Sequence, residues 1–590
     1  MEAIRLRHNI ILGFILFLLA YLVLDQGGRS VFAPSFLLIV LLPLGLFFYA
    51  LSPKLKWTNL YIPLFGFLII SFFATIFSVS KYESFIYFIS LLGLATIFFI
   101  VSQLNFSEKH FKFIFYFIFG LAIIVCFSAI YFFLTSQLTG TFSRMIGTFY
   151  WPNPFAGFLL FCLPISLFLF WQSQGKSRYW FLAACSLILA VFVLTYSKGA
   201  FLSFLLPFGL LVWHFKSTLK KEFLLKIICL VVLTVGLVYG LLYFKKNPYL
   251  IIKQPLKAKE EGQVTSLTRL SYMKGALKIF RDNVLIGTGP ASFYLVYPRY
   301  QKTPVEYAKY AHNFYLETLA ETGIFGFLSF VAFVLGIILI GFKLLIKKTE
   351  IFALPIFAGI LGSLLHTGVD FDYAFWAILL LFWFVAGLLV NLYIKNKSNK
   401  PSFNFHWVIF LLGFLAFVFG IFLFFSNNNL DRAKNFEQEV NLNEAKVYYE
   451  KSLNILNKNP MVYYYLGRIE YVKGNQKEAE KLALMAIKKN PENPLNYQLL
   501  GRIYFTKGDT QKAEENFKKA IELDPKNNLG LYIDLANLYL KSKQKTKAKQ
   551  AIESILPLYS TNVVNTLHLK VELPAQIETL KKLLKEAQGG

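Results

Sequence analysis

Charge is scarce in this sequence. Of 590 residues, 16% are Asp, Glu, Lys or Arg, where a soluble globular domain has roughly a quarter. Acidic residues are the scarcer kind, 33 against 60 basic. Cysteine is nearly absent: Cys126, Cys162, Cys185 and Cys229 all fall inside apolar runs without paired spacing, which argues against a disulfide framework and a cysteine metal site. No Walker loop, HExxH, GxSxG or dinucleotide fingerprint stands in a credible context, so an ATP-driven pump is disfavoured. Nor does a small-residue cleavage site follow the apolar stretch 10–24, and further apolar runs come at once. That stretch reads as a first transmembrane helix rather than a signal peptide.

Apolar residues fill the chain instead: 56% hydrophobic and 18% aromatic side chains. A spanning helix needs about 20 mostly apolar residues. Thirteen stretches meet that measure, near 9–25, 32–51, 58–79, 82–102, 111–135, 154–172, 178–195, 199–215, 223–243, 322–346, 351–368, 373–394 and 405–425. Basic residues occupy every second connection: Arg5 and Arg7, Lys54 and Lys56, Lys109 and Lys112, Lys176 and Arg178, Lys216 with Lys220 and Lys221, Lys343 with Lys347 and Lys348, and Lys395 with Lys397 and Lys400. Lys and Arg are retained on the cytoplasmic side, so the N-terminus is expected inside. The long loop 244–311 and the segment after Phe425 are then expected outside.

The net charge of +27 raises nucleic acid, anionic lipid or an anionic substrate as partners. Its distribution narrows the choice. Residues 1–426 hold 34 basic and 14 acidic side chains, and residues 427–590 hold 26 and 19. The first part is a membrane domain in contact with lipid, the second has the charge density of a soluble domain, and no nucleic-acid partner is expected.

The tail repeats with a period of 34. Leu466, Gly467, Gly474, Ala479, Ala486 and Pro491 recur as Leu500, Gly501, Gly508, Ala513, Ala520 and Pro525, and a third copy gives Leu535, Ala536, Tyr539 and Ala548. This pattern resembles the tetratricopeptide repeat, whose small residues sit where paired helices approach closely. It covers roughly 431–560, with a degenerate copy around 443–456 and a last helix near 575–587. The expected fold is all-α: a polytopic membrane domain, residues 1–426, followed by an α-solenoid, residues 427–590.

Loop 244–311 carries twelve basic residues against four acidic, on the face where the positive-inside rule would not place them. Within it, 266–281 reads as an amphipathic helix with Ser266 as N-cap. Leu270, Met273, Leu277 and Phe280 share one face, and Lys274, Lys278 and Arg281 another. Arg269 falls on the apolar side. Geometry leaves two readings, an arginine snorkelling to the membrane surface or one turned inward to hold an anion with its planar fork.

The loop ends in His312-Asn313-Phe314-Tyr315-Leu316-Glu317, followed by Glu321-Thr322-Gly323. This string resembles the signature of the O-antigen ligase and polymerase family, in which a large extracytoplasmic loop runs into a His-Asn motif and a helix beginning Glu-x-Gly. Asp282 to Pro290 is similar to the family's preceding Gly-x-Gly turn, with Asn283 and Val284 in place of the usual residues. Gly147-Thr148-Phe149 with Pro152-Asn153-Pro154, Ser197-Lys198-Gly199 and His366 to Asp372 resemble three further patches. Together they cover most of 140–395.

The resemblance implies a GT-C-like membrane glycosyltransferase of the bacterial inner membrane, without metal or other cofactor. Its donor would be a glycan on undecaprenyl pyrophosphate and its acceptor a hydroxyl of a lipid, glycan or protein. Carried over by motif, Arg269 and Lys198 would be pyrophosphate ligands and His312 the base; Lys198 stands where the family usually has arginine, which keeps charge but loses bidentate geometry. Arg144, Arg281 and Asn313 complete the expected pyrophosphate- and glycan-binding set. Taken alone, His312 reads rather as a surface-loop histidine bound to backbone, a preference that the surrounding motif reverses. Glu321, His366, Asp370 and Asp372 form a second tier, for which helix capping or a structural hydrogen-bond network is the alternative. A ligase and a repeat-unit polymerase share these motifs. A transporter or flippase of polyprenyl-linked sugars would also need a basic outer cavity, but predicts mid-membrane charges and inverted repeats. A protein partner of the repeats is a further expectation.

Overall fold

A computed structural model describes residues 2–51, 55–135, 144–215, 221–245, 268–302, 304, 308–347, 350–395, 406–456, 458–559 and 572–589. Among these residues there is no strand. The membrane domain is built of α1 (Glu2–Leu24), α2 (Ala33–Leu51), α3 (Tyr61–Ile76), α4 (Lys81–Gln103), α5 (Glu108–Thr135), α6 (Pro152–Gln172), α7 (Ser177–Leu194), α8 (Lys198–Phe215), α9 (Lys221–Phe244), the loop helix α10 (268–282), α11 (Phe314–Lys347), α12 (Ala353–His366), α13 (Trp376–Ile394) and α14 (His406–Gln438). Ten helices among the described residues are long and apolar enough to cross a membrane, and α3, α8 and α12 are shorter apolar helices. They match the thirteen expected stretches one for one.

Several boundaries differ from expectation, beginning with α1, which starts at Glu2 rather than near 9. Expected span 58–79 stops at Ile76 because Ser78 and Ser80 turn the chain, with the Ser78 hydroxyl accepting from the Ser80 amide at 2.9 Å. Expected span 322–346 begins earlier, at Phe314, but is broken at Gly323 (φ 66°, ψ −169°) into a short first segment and a long second one. Expected span 405–425 continues to Gln438 without a break. The expected N-cap Ser266 lies outside the described residues, as does much of the basic loop before it.

Alternate connections meet at opposite ends of the bundle. At one end the Lys56 amide donates to Gln103 (2.8 Å), Asn391 donates to Ser102 O (3.1 Å), and Lys395 pairs with Glu350 (3.6 Å). At the other, Ala377 N donates to Gly27 O (3.1 Å), Met145 N to Leu194 O (3.0 Å) and Val79 N to Thr288 O (3.1 Å). The helices in the middle of the bundle, α6 and α13, are apolar on every face and buried almost throughout, as a helix surrounded by other helices must be.

The repeats follow as α15 (Leu442–Ile455), α16 (Pro460–Val472), α17 (Gln476–Lys489), α18 (Pro494–Lys507), α19 (Thr510–Leu523), α20 (Leu529–Lys541), α21 (Lys545–Ile555) and α22 (Glu572–Gln588). Asn459, Asn493 and Asn528 each cap a helix through a backbone amide two residues on, at 3.0 Å, and Pro460 and Pro494 fill the first helical position. There a missing N–H costs nothing. The end of α14 packs against α15 and supplies the first helix of the first pair: Ala433, Ala445, Tyr449 and Leu466 share one core. Span and solenoid are thus joined by one helix rather than a linker.

Candidate functional site

The site is gathered by the turn between α12 and α13. Its carbonyls are gripped by distant residues: Thr367 O accepts from Phe314 N (2.9 Å), Gly368 O from the Asn313 side chain (2.7 Å) and Val369 O from Arg269 Nη1 (3.1 Å). Asp370 follows, 1% exposed in its side chain. Its Oδ2 meets Arg269 Nη2 at 3.0 Å and accepts from Asn153 at 2.7 Å; its Oδ1 accepts from the Phe371 amide at 2.9 Å. Arg144 backs Asn153, donating to its side-chain oxygen at 2.5 Å and to Thr195 O at 2.7 Å. Burial works against ionisation of Asp370, yet Arg269, with His366 and His312 behind it, holds the carboxyl below its usual range.

His312 faces this carboxylate, with Nδ1 3.7 Å from Asp370 Oδ1. That nitrogen is buried and has no hydrogen-bond partner. The ring is held between Tyr272, stacked at 5.4 Å, and the edge of Phe371 at 4.6 Å. Its backbone is left-handed, φ 52°, a conformation that costs a non-glycine residue on the order of 1 kcal/mol and persists only when neighbours over-determine it. Burial pulls the imidazole down to about 4; Asp370 pulls the other way and Arg269 adds to the burial. His312 is therefore a neutral base at neutral pH.

A second histidine–carboxylate pair lies beneath. His366 Nδ1 and Asp372 Oδ2 are 2.5 Å apart, both fully buried, and Ser197 Oγ is 3.3 Å from His366 Nε2. Gly157 and Gly199 make room: a Cβ at 157 would overlap the Asp372 carboxylate, and one at 199 would stand 2.9 Å from Val369 and 3.2 Å from His366. Burial raises Asp372 to about 6, against the pull of His366. Sealed from solvent, this pair supports the turn that carries Asp370.

The expected residues divide accordingly. Arg144, Arg269, His312, Asp370, His366 and Asp372 are brought together, and Lys198 starts α8, exposed, beside the Gly199 that packs on Val369. Arg281 is exposed three turns along α10, about 18 Å from Arg269 at 1.5 Å per residue, so the helix carries it away from the site. Asn313 was expected to contact ligand, but its oxygen caps α11 at Leu316 N (2.9 Å) while its amide holds Gly368. Glu321 accepts from the amides of Ala291 and Phe293, both at 2.9 Å, and is a clamp on the loop. Sequence reasoning passed over Asn153, Tyr272, Phe371 and Arg29. Asn153 stood in a quoted motif, and Arg29, which lies over the rings of Phe375 (5.1 Å) and Tyr310 (5.5 Å), is a basic residue in a connection where topology does not call for one.

The polytopic membrane domain thus carries a His312–Asp370–Arg269 constellation where its connections converge. Residues 183–331 match the family described as O-Antigen ligase, and residues 504–563 match the tetratricopeptide repeat. The chain thus carries a membrane-domain segment similar to O-antigen ligases and, further on, a segment similar to tetratricopeptide repeats. Lys198, Arg269 and His312 lie inside the first match; Arg144 and Asp370 lie outside it. No curated protein matches the chain. Solved structures similar to it include a thermophilic TPR protein of Thermus thermophilus (17% identity, 28% of this chain and 90% of that one, TM-score 0.22), pilF of Pseudomonas aeruginosa (16%, 44% and 92%, 0.22) and MamA of Desulfovibrio magneticus (17%, 24% and 78%, 0.21).

Proposed function

We propose that this protein transfers a glycan from a polyprenyl pyrophosphate to an acceptor hydroxyl outside the cytoplasm. The observation that carries the reading is His312 facing Asp370, with Arg269 on that carboxylate and Arg144 behind it through Asn153. Pyrophosphate leaves readily once its charge is neutralised, and fixed cations supply that neutralisation without a metal. Arg269 releases part of its hold on Asp370 to meet phosphate oxygens, for which its fork is suited. With the Nδ1 proton turned to Asp370, Nε2 of His312 takes the proton of the attacking hydroxyl. The acceptor oxygen bonds to the anomeric carbon, the bond to the pyrophosphate oxygen breaks with its electron pair, and attack opposite the leaving group inverts that carbon. The apo separation of 3.7 Å tightens when substrate is bound, as such contacts commonly do.

The lysine-rich connections at the opposite end of the bundle support a cytoplasmic assignment for that end, which puts the site and the repeats outside. En bloc transfer and repeat-unit polymerisation would use the same chemistry. The test is reconstitution with a lipid pyrophosphate-linked glycan and candidate acceptors in EDTA. Transfer is expected in wild type, with losses of about 100-fold or more in His312→Ala and Arg269→Ala. Undiminished transfer in both variants would overturn the mechanism.

A further inference from the structure

Next to the His312 site lies a cavity of about 260 Å³ that the mechanism above does not use. The start of α4, residues 291–294 and 309–310, the first segment of α11 and the α12–α13 turn line it. Tyr310 is common to both places. Its ring lines the cavity, stacks on Phe371 at 5.5 Å and 4°, and Phe371 in turn touches His312. The cavity and the catalytic histidine are therefore separated by one pair of stacked rings.

The lining has a specific chemistry. Tyr87 and Trp376 present two aromatic faces, 5.7 Å apart and inclined at 46°. Glu83 accepts from the Tyr294 hydroxyl at 2.5 and 2.6 Å, and Glu317 accepts from Ala311 N at 2.8 Å through one oxygen. Lys309, the cation of the lining, lies over the Tyr294 and Tyr310 rings at 5.7 and 5.8 Å. Three carboxyl groups, Glu83, Glu317 and Glu321, and one ammonium, Lys309, make the lining polar as well as aromatic. An acyl chain would set this polar edge against hydrocarbon, which is unfavourable. A sugar ring meets both demands, its C–H face on the aromatic faces and its hydroxyls on the carboxylates. The volume falls just under the roughly 300–1,000 Å³ of small-molecule sites, enough for one ring and too little for an oligosaccharide.

The geometry points to this cavity as a sugar-binding subsite, holding one pyranose ring of the glycan substrate on the far side of the Tyr310–Phe371 pair from the Arg269 cluster. The repeat domain is close by: Tyr82, next to Glu83, is hydrogen-bonded to Asn459 at the start of α16. This inference rests on the transfer reading, and its test is binding rather than turnover, so that the two fail separately.

The measurement is saturation-transfer NMR on the full-length protein in nanodiscs, with the methyl glycosides of glucose, galactose and N-acetylglucosamine as probes. At least one glycoside is expected to bind wild type with millimolar affinity. Trp376→Leu and Glu83→Gln should each weaken that binding at least fivefold, while Tyr87→Phe, which keeps the ring, should not. His312→Ala should bind the glycoside as wild type does while failing in transfer. Should Trp376→Leu fold poorly, the isosteric Glu83→Gln carries the test. Absence of binding by all three glycosides, or binding untouched by both Trp376→Leu and Glu83→Gln, overturns the subsite even if glycan transfer itself is established. Binding sensitive to both changes upholds it even if transfer is not found.

Discussion

At the scale of single residues, His312 combines three conditions that seldom coincide: a left-handed backbone, an unpartnered buried Nδ1 and a carboxylate 3.7 Å away. They have one consequence that can be measured. With its imidazole lowered from 6.5 to about 4, His312 stays unprotonated across the range in which an ordinary histidine titrates. The rate of glycan transfer should therefore be level from pH 8 to about pH 5.5 and fall only toward pH 4. Stability follows the same displacement. A folded value below the unfolded one means that the unfolded chain binds the proton first as pH falls, so stability is fully present above 6.5 and lost progressively between 6.5 and 4. The loss is at most about 3 kcal/mol for a shift of this size. Melting temperature in detergent should decline over that interval in wild type and decline less in His312→Phe. A transfer profile with its midpoint near 6.5 would show that the ring is solvated and that burial does not set its basicity. Of the residues gathered here, the sequence singled out His312 and Asp370 through short motifs and Arg269 through its place on the apolar side of an amphipathic helix. Their arrangement was not legible there, because Asp370 binds Asn153 and Arg269, and no local pattern encodes a meeting of residues 217 and 101 positions apart.

At the scale of elements, the decisive one is α11, whose two segments meet at Gly323. With φ 66° and ψ −169°, this residue occupies a region essentially reserved for glycine. The break is also filled from outside: a Cβ at 323 would overlap Leu285, and one at Gly287 would overlap the Glu321 backbone. Thr288 N donates to Ala320 O (3.1 Å), Gly289 N to Glu321 O (2.9 Å) and Ile324 N to Val284 O (2.8 Å). The Gly-x-Gly turn and the Glu-x-Gly helix are thus two halves of one backbone lock, which sets where His312 leaves the loop. Gly323→Ala should cost about 2–4 kcal/mol, strain plus steric overlap, and lower transfer more than it lowers the amount of folded protein. Gly336→Ala is a poor control because its Cβ would meet Leu60; Gly120→Ala, with open space around it, should leave both unchanged. Thermal melting alongside transfer assays separates these outcomes. The apolar spans were readable because the bilayer imposes a length. The lock was visible only as two glycine motifs, since what joins them is main-chain pairing, to which side-chain periodicity gives no clue.

At the scale of the whole molecule, the solenoid is coupled to the membrane domain in two ways. The first is covalent: α14 runs unbroken for 33 residues, about 50 Å, from the bundle into the first repeat. The second is a contact patch on the loop beside the site. There Arg299 pairs with Glu492, the side-chain amides of Gln301 and Asn527 exchange hydrogen bonds at 2.6 and 3.0 Å, and Lys526 donates to Gln301 O. Repeat periodicity disclosed the solenoid but not this patch, because Glu492 and Asn527 lie in the turns between repeats, where the repeat pattern places no demand. The Arg299–Glu492 pair is partly exposed, 32% and 19%, so its worth is on the order of 1 kcal/mol. Reversing one charge replaces attraction by repulsion, and Arg299→Glu or Glu492→Arg alone should raise hydrogen exchange in the 492–528 turns roughly fivefold or more, about 1 kcal/mol of easier opening. The double reversal restores complementarity and should bring exchange back to within about twofold of wild type, the signature of a direct pair rather than two independent effects. Transfer to a large acceptor should follow exchange through the series, because the patch orients the solenoid over the loop. Transfer to a small glycoside acceptor should stay constant, because it does not use the repeats. If the single reversals leave exchange unchanged, the helix alone holds the solenoid in place and the patch contributes nothing to its orientation.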